Sequence, residues 1–475
     1  MNASFRKKQG INHRAGSIAL ILSALMMTLS GQIDAAESYQ NLSLSNAIEI
    51  ALKNNLEKQI SFQSAAIAES QYQQALSARW PTLTFQAGFQ HRDKSPTFIF
   101  PATNMSIGPL PPILPVPIPV SVPEQNVKIM SQNTTTSSLQ LLFPLYTGGK
   151  ITSIINQANI GKEIAQEEYR RTTLQVVRDV RRYYYAAQLT KELDMTAKEI
   201  VSMLSSTRDF SKGLYEGGSE TVNKLDFLKT EIAVSYAKSV EIDFASKHKS
   251  ALAALANAMG ESWDTQISIE TPLDSKVDQD PQLASLIQQA NQFNPQVGIL
   301  KLAVRAAKEK IDEARSDFFP KVALTADATH YENSYDKGLA NPENKNSWTI
   351  GVGLSLPLFN GGFTSNQVNT AKLQSNQMQD KQKLVEQGVA IMVKNLFIEY
   401  DSARQQISVS EEASKNADEN MDLTSRALQI GASKPQDMIE ASILQGIIKG
   451  NLLRARHDQQ LQLAEINYVL GAEAQ

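Results

Sequence analysis

Two stretches of the chain share one spelling. Leu142 to Lys150 reads LFPLYTGGK and Leu354 to Gly362 reads LSLPLFNGG, each with Pro, Leu, an aromatic residue, a polar residue and two glycines in succession. The Gly149-Lys150 pair suggests a phosphate-binding loop. That loop needs a glycine five residues earlier and a Ser or Thr directly after, so that backbone amides wrap the phosphates. Pro144 and Ile151 occupy those places, and the second copy has no lysine. The pattern is therefore structural, and it belongs to a longer repeat. Pro81 in ARWPTLTF corresponds to Pro320 in SDFFPKVA, Pro144 to Pro357 and Gly218 to Gly431. Between the paired prolines the copies differ in one segment, 41 residues from Arg92 to Gln132 against 15 from Glu332 to Asn346. Duplication on this scale dictates architecture. Residues 37–262 form one expected unit and 263–475 the other.

Each unit reads helix, strand, loop, strand, helix, helix. Strict alternation marks the strands at about 82–92, 133–144, 321–331 and 347–357. In the first, Leu83, Phe85, Ala87 and Phe89 face one way and Thr82, Thr84, Gln86 and Gly88 the other. Helices are expected at about 42–78, 150–210 and 219–260, then 280–317, 363–428 and 433–470. A rod from Lys150 to Phe210 would be on the order of 90 Å long. Leu225, Leu228, Ile232, Ser235, Ser239 and Ile242 repeat at the alternating spacing of a coiled-coil seam.

Proline cannot donate to a sheet ladder and gathers at strand ends. Pro81 and Pro320 open strands, while Pro144 and Pro357 close them, so all four mark one edge of a sheet. There the chain must turn into a long helix, and Gly148, Gly149, Gly361 and Gly362 supply the backbone freedom. Strands of about ten residues match the length that crosses a membrane when tilted, with Trp80, Trp348 and Tyr331 at their ends like an aromatic girdle. Four strands cannot close a barrel, and an open edge in lipid is forbidden. Several chains must then share one barrel. The competing reading is a soluble four-stranded sheet on a helical bundle.

The N-terminus reads as a removable address. Arg6, Lys7, Lys8 and Arg14 precede the apolar run SIALILSALMMTL, and SGQIDAAES offers cleavage near Ala35 or Ala36, so residues 1–36 are expected to be a secretory signal peptide. The run is too short for a membrane-spanning helix. Without it the charge changes from 46 basic against 49 acidic residues to 42 against 48, a net of −6, which gives no support to nucleic-acid binding. Although an exported chain could form disulfides, there is no cysteine.

The doubled order of elements resembles the TolC-type outer-membrane efflux proteins. The residues that carry the likeness are ARWP and SDFFP before strands, FPLYTGG and LPLFNGG after them, and GGSETVNKLDFLKTE and GASKPQDMIEAS at the helix turns. The resemblance implies a mainly α fold with a membrane β-barrel: a homotrimer with a 12-stranded barrel in the outer membrane of a Gram-negative cell and a long α-helical tunnel in the periplasm. It implies a passive exit duct for efflux or type I secretion. A periplasmic adaptor (membrane fusion protein) would dock at the helix turns around Gly218, Ser219, Gly431 and Ala432, and an inner-membrane RND or ABC transporter would drive export. The alternative of another class is a trimeric coiled-coil adhesin or periplasmic scaffold.

No catalytic constellation is legible. The histidines lack metal spacing such as H-E-x-x-H, no G-x-S-x-G elbow occurs, and no cofactor, metal or nucleic acid is implied. Asp437 and Glu440, three apart after Gly431, lie on one helix face. In the resembled family that place carries the acids that ring the periplasmic constriction. By the same correspondence Lys224 stands where the first repeat often has an acid, and Ser433 where a basic locking residue is often found. Lys224 is therefore the candidate partner of Asp437 or Glu440 in a closed gate. The segment 93–132 holds nine of the 18 prolines, which favours extended polyproline structure over a folded insert.

Overall fold

The computed structural model describes residues 38–109, 111–113, 115–270, 282–333, 343 and 345–472; the expected signal peptide lies outside them. The first half contains β1 (Ser38–Leu42), α1 (Leu44–Asn54), α2 (Leu56–Ser77), β2 (Thr82–His91), β3 (Thr97–Phe100), β4 (Thr103–Ile107), β5 (Ile118–Val122), β6 (Gln125–Lys128), β7 (Asn133–Tyr146), α3 (Lys150–Glu216) and α4 (Lys224–Met259). The second contains β8 (Gln266–Ile269), α5 (Leu283–Phe293), α6 (Pro295–Arg315), a 3-10 turn (Ser316–Phe318), β9 (Lys321–Asn333), β10 (Asn346–Ser355), α7 (Phe363–Gln429) and α8 (Pro435–Leu470). The halves match in length helix by helix: α3 and α7 have 67 residues each, α4 and α8 36, α1 and α5 11. The described residues divide into two compact units, one drawn from Glu57–Gln175, Gln279–Ile398 and Glu465–Gln475, the other from the rest.

The first of these units holds a four-stranded antiparallel sheet in the order β10-β9-β7-β2. Its register sets Phe85, Leu139, Ala328 and Trp348 in one row and Leu83, Leu141, Ala326 and Ile350 in the next. The opposite face carries Thr84, Gln140, Asp327 and Thr349, then Gln86, Ser138, Thr329 and Ser347. A soluble sheet would bury its apolar face; here that face is exposed, Phe85 by 68% and Trp348 by 77%. Every residue of β2 and β10 is exposed, while Thr134 and Ser138 on the polar face of β7 are buried. An exposed apolar face on alternating strands is what lipid-facing strands carry. β2 and β10 are left as open edges.

The prolines and glycines sit where the sheet meets the helices. Pro81 and Pro320 directly precede β2 and β9, Pro357 follows β10, and Pro144 lies inside β7, where the register shifts before Tyr146. The strand thus continues past this proline, which the ladder accommodates with a bulge. Thr147 begins α3 by accepting from the Ile151 N–H at 3.3 Å. Lys150, the lysine of the false phosphate loop, reaches Asp317 at 3.3 Å, and Lys321 reaches the same carboxylate at 2.8 Å. Partial burial pushes the Asp317 carboxyl up, but hydrogen bonds from Lys321 and Lys150 outweigh it and hold it below its ordinary value. The lysine fastens helix to sheet.

Two expected helices are broken. The reading of one helix over 42–78 is corrected to α1 and α2 around Asn55, and that over 280–317 to α5 and α6 around Asn294. Both asparagines hold extended backbone, with ψ 125° and 124°. Asn55 Nδ2 donates to Ala258 O at 2.9 Å, and Asn294 Nδ2 donates to Val469 O at 2.7 Å. Each break thereby satisfies a carbonyl at the end of a long helix, α4 or α8, which helix geometry leaves without an internal donor. A parallel pair, β1 with β8, also went unforeseen. It covers a core of Leu42, Val180, Tyr184, Leu255, Met259 and Ile269. Tyr184 donates its hydroxyl to Leu42 O at 2.9 Å. Burial, with Glu270 and Tyr185 nearby, pushes its pKa up to about 12, so it remains a donor throughout the physiological range.

The Pro-rich segment is a further correction. It forms an antiparallel ribbon in which β3 pairs β6 and β4 pairs β5. Thr97 faces Lys128 and Ile107 faces Ile118 in one unbroken register. Prolines fall mainly at the interruption, Pro101 and Pro123, and around the turn, where no ladder donor is needed.

Gly148 and Gly361 have the same left-handed φ, +64° and +63°, but different surroundings. A Cβ on Gly148 would meet Ser316 O at 2.6 Å and Phe319 Cβ at 2.7 Å, whereas Gly361 faces open space. Gly361→Ala should cost about 1 kcal/mol from backbone strain alone. Gly148→Ala should cost at least about 3 kcal/mol, because overpacking adds to the strain. Thermal unfolding of the two purified variants distinguishes them, and equal losses would show that the close approach does not matter.

Candidate functional site: the paired helix turns

The turn from α3 to α4 is built on Gly218, with φ +74°. Its N–H donates to Tyr215 O at 3.2 Å, and the Ser219 N–H donates to Leu214 O at 3.0 Å. This six-to-one pattern stops a helix by satisfying its last carbonyls. Ser219 Oγ then accepts from the Thr221 N–H at 3.2 Å. Val222 is buried, and Asn223 starts α4 with a capping box: Asn223 Oδ1 accepts from the Leu225 and Asp226 amides, while Asp226 Oδ2 accepts from the Asn223 N–H at 3.2 Å. Across the turn Tyr215 and Phe227 stack, with ring centroids 6.2 Å apart.

The turn from α7 to α8 repeats the stop and shortens the restart. Gly431 has φ +73°, and the Ala432 N–H donates to Ala427 O at 2.8 Å. Ser433 and Lys434 follow, and Pro435 opens α8, where its missing N–H costs no helical bond. Asp437 Oδ2 accepts from the Lys434 N–H at 2.9 Å and from Ser433 Oγ at 2.8 Å. These two donors, the Lys434 amide first, hold the Asp437 carboxyl below its ordinary value. Glu440 accepts from Gln436 Nε2 at 2.8 Å. Met438 and Ile439 between them are buried, against Met421 and Leu428 and against Leu204 and Val234 respectively. The alternation of buried and exposed positions leaves Asp437 and Glu440 on the exposed face.

The geometry changes the correspondence between halves. Asp437 accepts from the residue just before its helix as Asp226 does, so Asp226 is its counterpart, and Lys224 corresponds to Pro435. The first turn is two residues longer, with Gly218 five residues before Asn223 but Gly431 only three before Lys434. Asp226, not Lys224, therefore stands in the first half where Asp437 stands in the second. One signal was available: Gly260 and Gly471, which end the following helices, are two residues closer than Gly218 and Gly431 require. Within one chain Asp437 and Glu440 bond to Ser433, Lys434 and Gln436, not to Lys224. Gly218, Ser219, Gly431 and Ala432 are brought together only within their own turns.

Among the described residues no cluster of three or more His, Cys, Asp or Glu could hold a metal ion, and no helix is long and apolar enough to cross a membrane. A profile of the family described as Outer membrane efflux protein matches residues 47–261 and 286–472. The solvent efflux pump outer membrane protein SrpC of Pseudomonas putida is 24% identical over 345 residues, 72% of this chain and 66% of that protein, so the chain spans just under two thirds of its length. The outer membrane protein TolC of Escherichia coli K12 is 22% identical over 204 residues, 41% of each chain. The open-state structure of the Neisseria gonorrhoeae MtrE outer membrane channel has a TM-score of 0.72 at 18% identity and covers 93% of this chain and 96% of that one, a likeness of fold. Matched by the family profile in both halves, the chain belongs to the outer membrane efflux protein family and is an outer-membrane protein.

Proposed function

We propose that this chain is the outer-membrane exit duct of a tripartite efflux or type I secretion system, with three copies closing one 12-stranded barrel around a helical tunnel. The observation that carries it is the sheet's exposed apolar face, with Phe85 and Trp348 uncovered, together with β2 and β10 open at the edges. Edge strands in hydrocarbon must be paired, and a neighbouring copy supplies β10 beside β2. The relatives' names, solvent efflux pump and TolC outer membrane proteins, support export. The duct performs no chemistry. A periplasmic adaptor meets the turns at Gly218 and Gly431, and an inner-membrane RND or ABC transporter supplies the energy. The purified protein should have the mass of a trimer in detergent and give discrete single-channel conductance in a planar bilayer; a monodisperse monomer, or a trimer that never conducts, would sink the proposal.

The gate follows from the same assembly. Three copies bring six carboxylates from Asp437 and Glu440 around one axis, and Asp226 adds three more at the corresponding helix starts. A charged ring concentrates counter-ions and sets selectivity. Asp437→Ala with Glu440→Ala should reduce cation preference several-fold and abolish block by multivalent cations, as read from reversal potentials and titrated conductance. Lys224→Glu should raise leak conductance if a neighbouring copy's acid holds Lys224 in the closed state; unchanged leak would remove Lys224 from the gate.

The Asp437 cap also predicts a pH dependence. Its folded pKa lies below the ordinary 3.8, so its contribution is present above that value and is lost only as pH falls through the lower folded one. Cation block should therefore persist at pH 4. Ser433→Ala removes one of the two donors and should move the acid midpoint of block upward, toward 3.8. An identical midpoint in the variant would show that block depends on other acids.

A further inference from the structure

We propose that the Pro-rich ribbon is a contact between copies of this chain, its outer arm β4–β5 packing against the same arm of the neighbouring copies over the exit. This rests on the shared-barrel reading. The ribbon grows from the β2–β7 hairpin at the end away from the prolines of the helix joint: the Arg92 N–H donates to Gln132 O at 2.8 Å and the Ile129 N–H to Pro96 O at 2.9 Å. Since β2 is an edge of the sheet, the ribbon rises beside the seam where a second copy's β10 joins. The arm therefore stands nearest to another protomer.

Its chemistry selects that partner. Thr103, Met105 and Ile107 oppose Val122, Val120 and Ile118, so one face of the arm is apolar, while Asn104, Ser106 and Ser121 lie on the other. Met105 is 55% exposed and Ile107 50%. From Ser95 to Pro123, 29 residues, there is no charged side chain. On a symmetry axis every residue meets its own copies, so a charge there would repel itself, and an uncharged arm is what convergence requires. An anionic membrane surface would instead be met by Lys or Arg, and none lies between Lys94 and Lys128. Strand addition is opposed by Pro101, Pro119 and Pro123, which lack the donor. Contact is therefore through side-chain faces. Tethering on one barrel raises the effective concentration of the arms, so a small apolar face suffices.

The chain has no cysteine, so a single introduced thiol reports inter-chain proximity. Ile118→Cys and, on the opposite face, Asn104→Cys are oxidised with copper phenanthroline in intact outer membranes. The contact predicts a covalent dimer as the main non-reduced band from Ile118→Cys and at least roughly tenfold less from Asn104→Cys. Adding Val120→Asp to Ile118→Cys should abolish the band while the detergent trimer keeps its mass. A normal trimer with no band from Ile118→Cys, or with equal bands from both faces, overturns the contact alone. A monomer overturns the duct reading and the contact together. Bimane on Ile118→Cys that is quenched by brominated phospholipid in vesicles would assign the arm to the membrane and also overturn it.

Discussion

A strand edge in hydrocarbon leaves its amides and carbonyls without partners, each at a cost of several kcal/mol, and no side chain can repair a whole row of them. The four-stranded sheet has two open edges, which the proposed membrane placement would put in hydrocarbon, and its exposed apolar face would make it poorly soluble as a free domain. Everything else in the chain is compatible with meeting that constraint by assembly. The helices leave from one side of the sheet, and each half delivers two strands of it and two long rods in the same order.

Joining a strand to a 67-residue helix needs a sharp, reproducible bend. At the first joint this is achieved with a close approach, Gly148 against Ser316 and Phe319, and an ionic tie from Lys150 to Asp317. The second has left-handed φ at both glycines as well, without the close approach, and uses Asn360 Nδ2 donating to Thr364 Oγ1 at 2.7 Å. A similar bend is thus stabilised by different contacts in the two halves, and the first joint tolerates change less. At the other ends of the helices the bonding is more alike, with Asn55 and Asn294 each closing a carbonyl of a 36-residue helix.

The strands were legible because alternation at period two is unambiguous when, as at Thr82 to Gln90, it runs without interruption. Helix breaks were not, because the helical pattern continues across them; only KNN before Leu56 and FNP before Gln296 marked the places, and Asn before Pro is a capping signal. The ribbon was hidden by composition. Proline density argued for polyproline, yet NMSI at 104–107 alternates polar and apolar as a strand should. At the candidate gate, Asp437 and Glu440 were singled out by resemblance, whereas Asp226 was masked by a two-residue difference in turn length that the cap hydrogen bonds reveal and that only the spacing of Gly260 and Gly471 marks in the sequence.

That difference bears on pseudo-symmetry. In the proposed three-chain assembly there would be six such turns, three of each kind. Those ending in Gly218 carry the longer bend, a stacked Tyr215 and Phe227 and a lysine at the first helical position; those ending in Gly431 carry a proline there. Such an assembly would be threefold, not sixfold, at these turns. A partner that touched all six would meet two alternating environments, one with a lysine and one with a proline at the helix start.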